Sequence, residues 1–162
     1  MKSHNTQTLI LGLGNDILMD DGIGPKLVWY LEKKINKQNI ILDTAAVGGM
    51  ELIEIIKDYS KVIIIDAIKT KDGIPGNVYH LTPSNFQETS HISNLHDINF
   101  LIALQLAKQL GIEITEKIDI IAIEIVEDRT FGNEFTFALQ NKFESIKKQV
   151  EKMVNAIIDY DE

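Results

Sequence analysis

A chain of 162 residues has room for one domain with a sizeable core, and 44% hydrophobic against 25% charged residues is the balance of a globular protein, not a disordered one. The formal charge of -8 and a pI near 5.0 set up a negative field that disfavours nucleic acid and anionic membrane surfaces as partners and suits a cation or a basic peptide. The sequence has no cysteine, which excludes disulfides, thiolate metal sites and cysteine nucleophiles, so any catalytic chemistry must use oxygen and imidazole.

Behind the polar start MKSHNTQ, the first apolar run is TLILGL at 8–13. It is too short for a signal-peptide core or a membrane span, so the chain is expected to be cytoplasmic. A short apolar run ended by glycine reads as a buried strand. From Ile23 to Ile35, apolar side chains at Ile23, Leu27, Leu31 and Ile35 recur every four residues and predict one buried helix face. Pro25 belongs in the first turn of that helix, where its missing N–H has no partner to lose. Asp20 and Asp21 then lie at or just before the helix start.

NIILDTA (39–45) reads as a second strand, and Gly48-Gly49 opens a helix with Leu52, Ile53, Ile56 and Tyr59 on one side. KVIIIDAI (61–68) is an unbroken β-branched run, which implies burial on both faces, as in a parallel sheet. KTKDGIPGN (69–77) is too short for a crossover helix, so NVYHL (77–81) is expected as an antiparallel neighbour of the third strand. Residues 82–95 read as an irregular loop. INFLIALQLAKQL (98–110) predicts a helix stopped by Gly111, and KIDIIAIEIV (117–126) a fifth strand. The stretch 127–134, EDRTFGNE, carries no pattern that assigns it. One last helix is expected to bury Leu139, Phe143, Ile146, Val150, Met153 and Ile157, each contributing roughly 1.5–3 kcal/mol.

No internal repeat or linker divides residues 1–162, which read as one α/β domain: a doubly wound, mostly parallel five-stranded sheet with one antiparallel strand and helices on both faces. In such sheets ligands bind beyond the carboxyl ends of the parallel strands, near the point where strand order reverses. Asp21, in the loop after the first strand, and Asp66, at the end of the third, are expected at that crevice. His96, just before the helix that starts near Asp97, is a third candidate. His91 and His80 are equally available on sequence grounds.

Each candidate also has a plain structural explanation. An aspartate at a helix start is commonly a cap or a partner for the helix dipole, which applies to Asp20 and Asp21, and a lone histidine before a helix is commonly a surface or capping residue. Asp66 is harder to explain that way, because a carboxylate directly after Val62-Ile63-Ile64-Ile65 requires a hydrogen-bond donor, a cation or a metal. Gly12 and Gly14 begin like a dinucleotide fingerprint, but G-x-G-x-x-G fails at Ile17. Asp43 stands where the ribose-binding acid would be, yet two adjacent aspartates would repel a pyrophosphate. No G-x-S-x-G, H-E-x-x-H or Walker A motif is present. Residue types and spacing alone therefore lead to a cation site of two carboxylates and an imidazole.

The run GLGNDILMDDGIG (12–24) resembles the N-terminal signature of the nickel-iron hydrogenase maturation endopeptidases, G-x-G-N-x-x-x-x-D-[DE]-x-x-G. VIIIDA (62–67) resembles that family's strand ending in an acid, and NLHDINFLIAL (94–104) its histidine followed by a helix. The resemblance covers nearly the whole chain in order. It implies a five-stranded, mostly parallel sheet flanked by helices, and removal of a C-terminal extension from the large-subunit precursor of a hydrogenase after nickel insertion. It also implies metal contact by Asp21, Asp66 and His96. Two departures stand out. The second acid of the first motif is the shorter aspartate, and where family members often carry a D-G-G-T-x-G-like loop this chain reads Asp43-Thr44-Ala45-Ala46-Val47-Gly48-Gly49.

Imidazole with carboxylate oxygen suits nickel or zinc without choosing between them; the resemblance selects nickel, carried by the precursor. On this expectation Asp21, Asp66 and His96 form both the metal contact and the catalytic set. The ion polarises the scissile carbonyl or lowers the pKa of a water, and Asp20 is a candidate to orient that water. A monomer suffices, with no nucleic acid or membrane involved. The alternative is a nickel-binding or escort module that uses the same three residues and cuts nothing.

Overall fold

The apolar runs form β1 (Thr8–Leu13), β2 (Ile40–Ala45), β3 (Lys61–Ile68), β4 (Val78–Leu81) and β5 (Ile118–Glu124). The computed structural model describes residues 6–88 and 95–160, and side chains at 6–85 and 100–160. The helices are α1 (Ile23–Glu32), α2 (Gly49–Ile56), α3 (Pro83–Glu88), α4 (Leu95–Gln109), α5 (Phe137–Gln140) and α6 (Phe143–Asp159), and a 3-10 turn at Met19–Gly22 leads into α1. The strands join in the order β2-β1-β3-β5-β4, parallel except for β4.

Alternation along β3 builds two cores. Ile63, Ile65 and Ala67 pack toward α1 and α6 with Ile10, Ile121 and Ile123. Val62, Ile64 and Ile68 pack toward α2 and α4 with Leu9, Leu11 and Ile120. A strand apolar on both faces is stable only with a helical layer on each side, and the doubly wound arrangement supplies both. Among the described residues, no helix is long and apolar enough to cross a membrane.

Three expectations are corrected. β4 pairs antiparallel with β5, not with β3. β3 has no edge left, since β1 and β5 occupy its two sides. The link at 69–77 instead passes over the end of β5, where Gly76 N–H donates to the Glu124 carbonyl at 2.8 Å. Glu124 itself is buried, and its carboxylate accepts from Thr70 N–H at 2.7 Å and from the Thr70 hydroxyl at 2.9 Å. The stretch at 82–95 contains α3 and is not irregular throughout. The expected last helix is two, with Leu139 on α5 and Ile146, Val150 and Ile157 on α6.

Candidate functional site

Along the sheet the chain goes from β1 to β2 on one side of it and then reverses to β3 on the other. The switch point therefore lies between β1 and β3, where crevices form in open α/β sheets. After Leu13 the chain turns at Gly14, with φ at +140°, where a side chain's Cβ would stand 2.0 Å from the Asp21 carbonyl oxygen. Asn15 N–H donates to Asp21 Oδ2 at 2.8 Å, while the Asn15 side chain accepts from Ile17 N–H at 3.2 Å. The loop thus folds back on itself and fixes the Asp21 carboxylate. Gly24 then lets α1 start directly on the strand ends. A Cβ on it would meet the Leu13 carbonyl oxygen at 2.3 Å and that of Ile65 at 2.6 Å. The glycines of this run serve close backbone packing.

Asp66 lies on the α2 and α4 side of β3, by the same alternation that places Val62 and Ile64 there. Its Oδ1 accepts from Ala67 N–H at 2.8 Å. A cleft of about 170 Å³ opens at this edge, lined by Leu13, Asp21, Val47, Asp66 and Phe100 among others. Pockets that bury whole small-molecule ligands run to roughly 300–1,000 Å³. This cleft is smaller than that.

The structure brings Asp21 and Asp66 into one cleft. His96 falls in the first turn of α4, one turn before the cleft residue Phe100; its side chain lies outside the described residues, as does His91. His80 is elsewhere, on β4, with Nε2 2.7 Å from Asp119 Oδ1. Among the described residues no three histidine or acidic side chains stand together as a metal site, and the third member of the expected trio is His96.

Asp20 is corrected. It is fully buried, and both of its oxygens are engaged away from the cleft. Oδ2 accepts from Val126 N–H and Glu127 N–H, each at 3.1 Å, and from the Thr136 hydroxyl at 2.9 Å; Oδ1 accepts from Thr136 N–H at 2.7 Å. A carboxylate with four donors in place has no capacity aimed at a cleft water, so its work is to hold the chain at 126–136. That segment, which contains the 127–134 stretch unassigned from sequence, is also tied to the first loop by Met19 N–H to the Gly132 carbonyl and by Gly132 N–H to the Ile17 carbonyl, both 2.9 Å. Lys26 on α1 reaches it too, donating to the Asn133 carbonyl at 2.6 Å, and burial lowers its pKa against the pull of Asp16, Asp20 and Glu134. Within the segment, the Glu127 carboxylate accepts from Arg129 N–H at 2.7 Å and Thr130 N–H at 3.1 Å, which lowers its pKa. The sequence held one signal for this: of two adjacent acids in a tight turn, only one can face the cleft.

A sequence model of the hydrogenase maturation proteases matches residues 25–160. The chain belongs to this family. A Methanocaldococcus jannaschii protein named "Putative hydrogenase maturation protease" is 28% identical over 155 residues, 93% of each chain. Among solved structures, the hydrogenase maturating endopeptidase HybD of Escherichia coli superimposes with a TM-score of 0.72 at 25% identity over 90% of each chain. HybD of Thermococcus kodakarensis, a [NiFe] hydrogenase maturation protease, gives 0.65 at 25% identity, covering 91% of this chain and 99% of its own. Family membership makes the chain a protease, and so a hydrolase. The stretch at 43–49 that departs from the family signature supplies Val47 and Gly48 to the cleft wall.

Proposed function

We propose that this chain is the endopeptidase that removes the C-terminal extension from the nickel-loaded large-subunit precursor of a nickel-iron hydrogenase. The observation that carries this reading is the convergence of Asp21 and Asp66 on one cleft at the switch point between β1 and β3, with His96 at the start of the helix that closes its side. Two carboxylates in a half-buried cleft favour a cation there. Nickel enters as part of the substrate, and Asp21, Asp66 and His96 close on it. Recognition then depends on metal loading, because the ion brings the positive charge that the two acids contact. The ion lies beside the bond to be cut and polarises its carbonyl or acidifies a water. The same reading has the chain act as a monomer in the cytoplasm.

The test is intact mass spectrometry of the cognate precursor, with and without nickel, after incubation with the wild-type chain and with His96→Ala. Loss of a C-terminal segment only from the loaded precursor with the wild-type chain is expected. Equal cleavage of the metal-free precursor would overturn the metal gate. An unchanged mass alongside retained binding would make the chain a metal escort.

A further inference from the structure

Four donors from a distant segment converge on Asp20, the residue next to Asp21. Met19, immediately before it, is held at φ 46°, a left-handed conformation that side chains other than glycine rarely adopt. Such a residue persists only where its surroundings over-determine it. Here the restraints come from 126–136: Met19 N–H on the Gly132 carbonyl, Asp20 N–H on the Glu127 carbonyl at 3.1 Å, and the four bonds onto the Asp20 carboxylate. Thr136 points the same way. It is the residue before the first turn of α5, where a threonine hydroxyl ordinarily caps its own helix, yet it makes no side-chain cap and donates to Asp20 instead.

We propose that Asp20 and Thr136 form a positioning latch: Asp20 locks the 126–136 segment onto the 3-10 turn, and that lock holds the Asp21 carboxylate in its cleft-facing position. The inference rests on the function proposed above. It goes beyond it by making precursor cleavage depend on a hydrogen bond that touches neither metal nor peptide. Asn15 N–H, the donor to Asp21 Oδ2, reports the position of Asp21 without reference to catalysis.

The experiment uses Thr136→Val, which removes one donor from Asp20 at nearly constant shape, and Thr136→Ser, which restores it. Amide hydrogen exchange at Asn15 and in β3, thermal unfolding, and kcat and KM on the nickel-loaded precursor are measured for each. Loss of a hydrogen bond to a charged group predicts a fall in kcat/KM of about tenfold in Thr136→Val. Exchange is expected to accelerate at Asn15 and across 126–136 while β3 stays protected, with Thr136→Ser returning both toward wild type. A purely structural role would raise exchange in β3 along with the rest and lower Tm in proportion. That result, or Asn15 protection and kcat/KM at wild-type values in Thr136→Val, would overturn the latch. Should the wild-type chain itself leave the precursor uncut, the proposed function fails, and the Asn15 exchange still decides whether the latch exists.

Discussion

Gly24→Ala separates two kinds of reasoning. Gly24 is the second residue of α1, and its φ is not in the positive range. Helix propensity alone predicts that alanine there is stabilising by up to about 1 kcal/mol. The packing predicts the reverse. The new Cβ would sit 2.3 Å from the Leu13 carbonyl oxygen, 2.6 Å from that of Ile65 and 3.0 Å from the Leu13 nitrogen. All three are backbone atoms of central strands, with no flexible side chain to yield, and the shortest contact falls about 1 Å short of ordinary van der Waals distance. Overpacking of this kind costs about 1–3 kcal/mol. With the contacts on β1 and β3 backbone we take the upper end, so a net loss of about 2 kcal/mol survives the propensity gain. For a chain of this size that is a Tm lower by about 4–8 °C. Urea unfolding with an unchanged m-value is the assay. Because α1 must lift from the ends of β1 and β3, Asp21 and Asp66 move apart and precursor cleavage falls as well. Gly111→Ala is the control: its φ of +71° makes alanine costly by about 1–2 kcal/mol, but no atom within 4 Å opposes a Cβ, so cleavage stays intact. A Gly24→Ala protein as stable as wild type would refute the close-packing account of the glycine run.

Further outcomes follow from other contacts. Asp66→Asn should abolish cleavage of the nickel-loaded precursor while leaving urea stability within about 1 kcal/mol, because the half-buried side chain keeps its shape; a large stability loss would make Asp66 structural. Lys61→Met removes the buried amine that donates to the Ile157 carbonyl at 2.7 Å near the end of α6, and should cost about 1–3 kcal/mol with faster exchange in the last turn of that helix. Glu127 has a lowered folded pKa, so its contribution is complete above its ordinary value of 4.5 and is lost as pH falls through the folded value. Arg129 and Thr130 amides should therefore lose protection on acidification below that point in the wild type. Glu127→Ala should lack this step, and an identical pH response in the variant would defeat the assignment.

Most of the fold is written locally. β3 reads as a central strand because Val62-Ile63-Ile64-Ile65 is apolar on both faces, and the bounds of β1 and β3 follow from the apolar runs themselves. The partner of β4 was not legible. Adjacency in sequence favours β3, and what decides against it is the parallel insertion of β5, a contact across more than fifty residues, with Glu124 gripping Thr70 54 residues away. The division of α5 from α6 was hidden for a related reason. Leu139 and Phe143 keep a helical spacing across a break that leaves their apolar order intact.

At the site, the sequence distinguished residue types but not their directions. Asp20 and Asp21 are chemically identical neighbours, and both spacing and helix-cap logic treat them alike. The structure sends one into a fully buried nest of donors and the other to the cleft. The donors are Val126, Glu127 and Thr136, at the two ends of the 127–134 stretch that carries no readable pattern. Two facts about the sequence are thus one fact about the fold. A segment whose work is to present backbone N–H groups to a distant carboxylate needs no hydrophobic period of its own, and so leaves no trace in side-chain pattern. The double aspartate that would repel a phosphate marks the place where that segment is fastened: Asp20 binds the 126–136 chain, while Asp21, held by Asn15 N–H, lines the cleft.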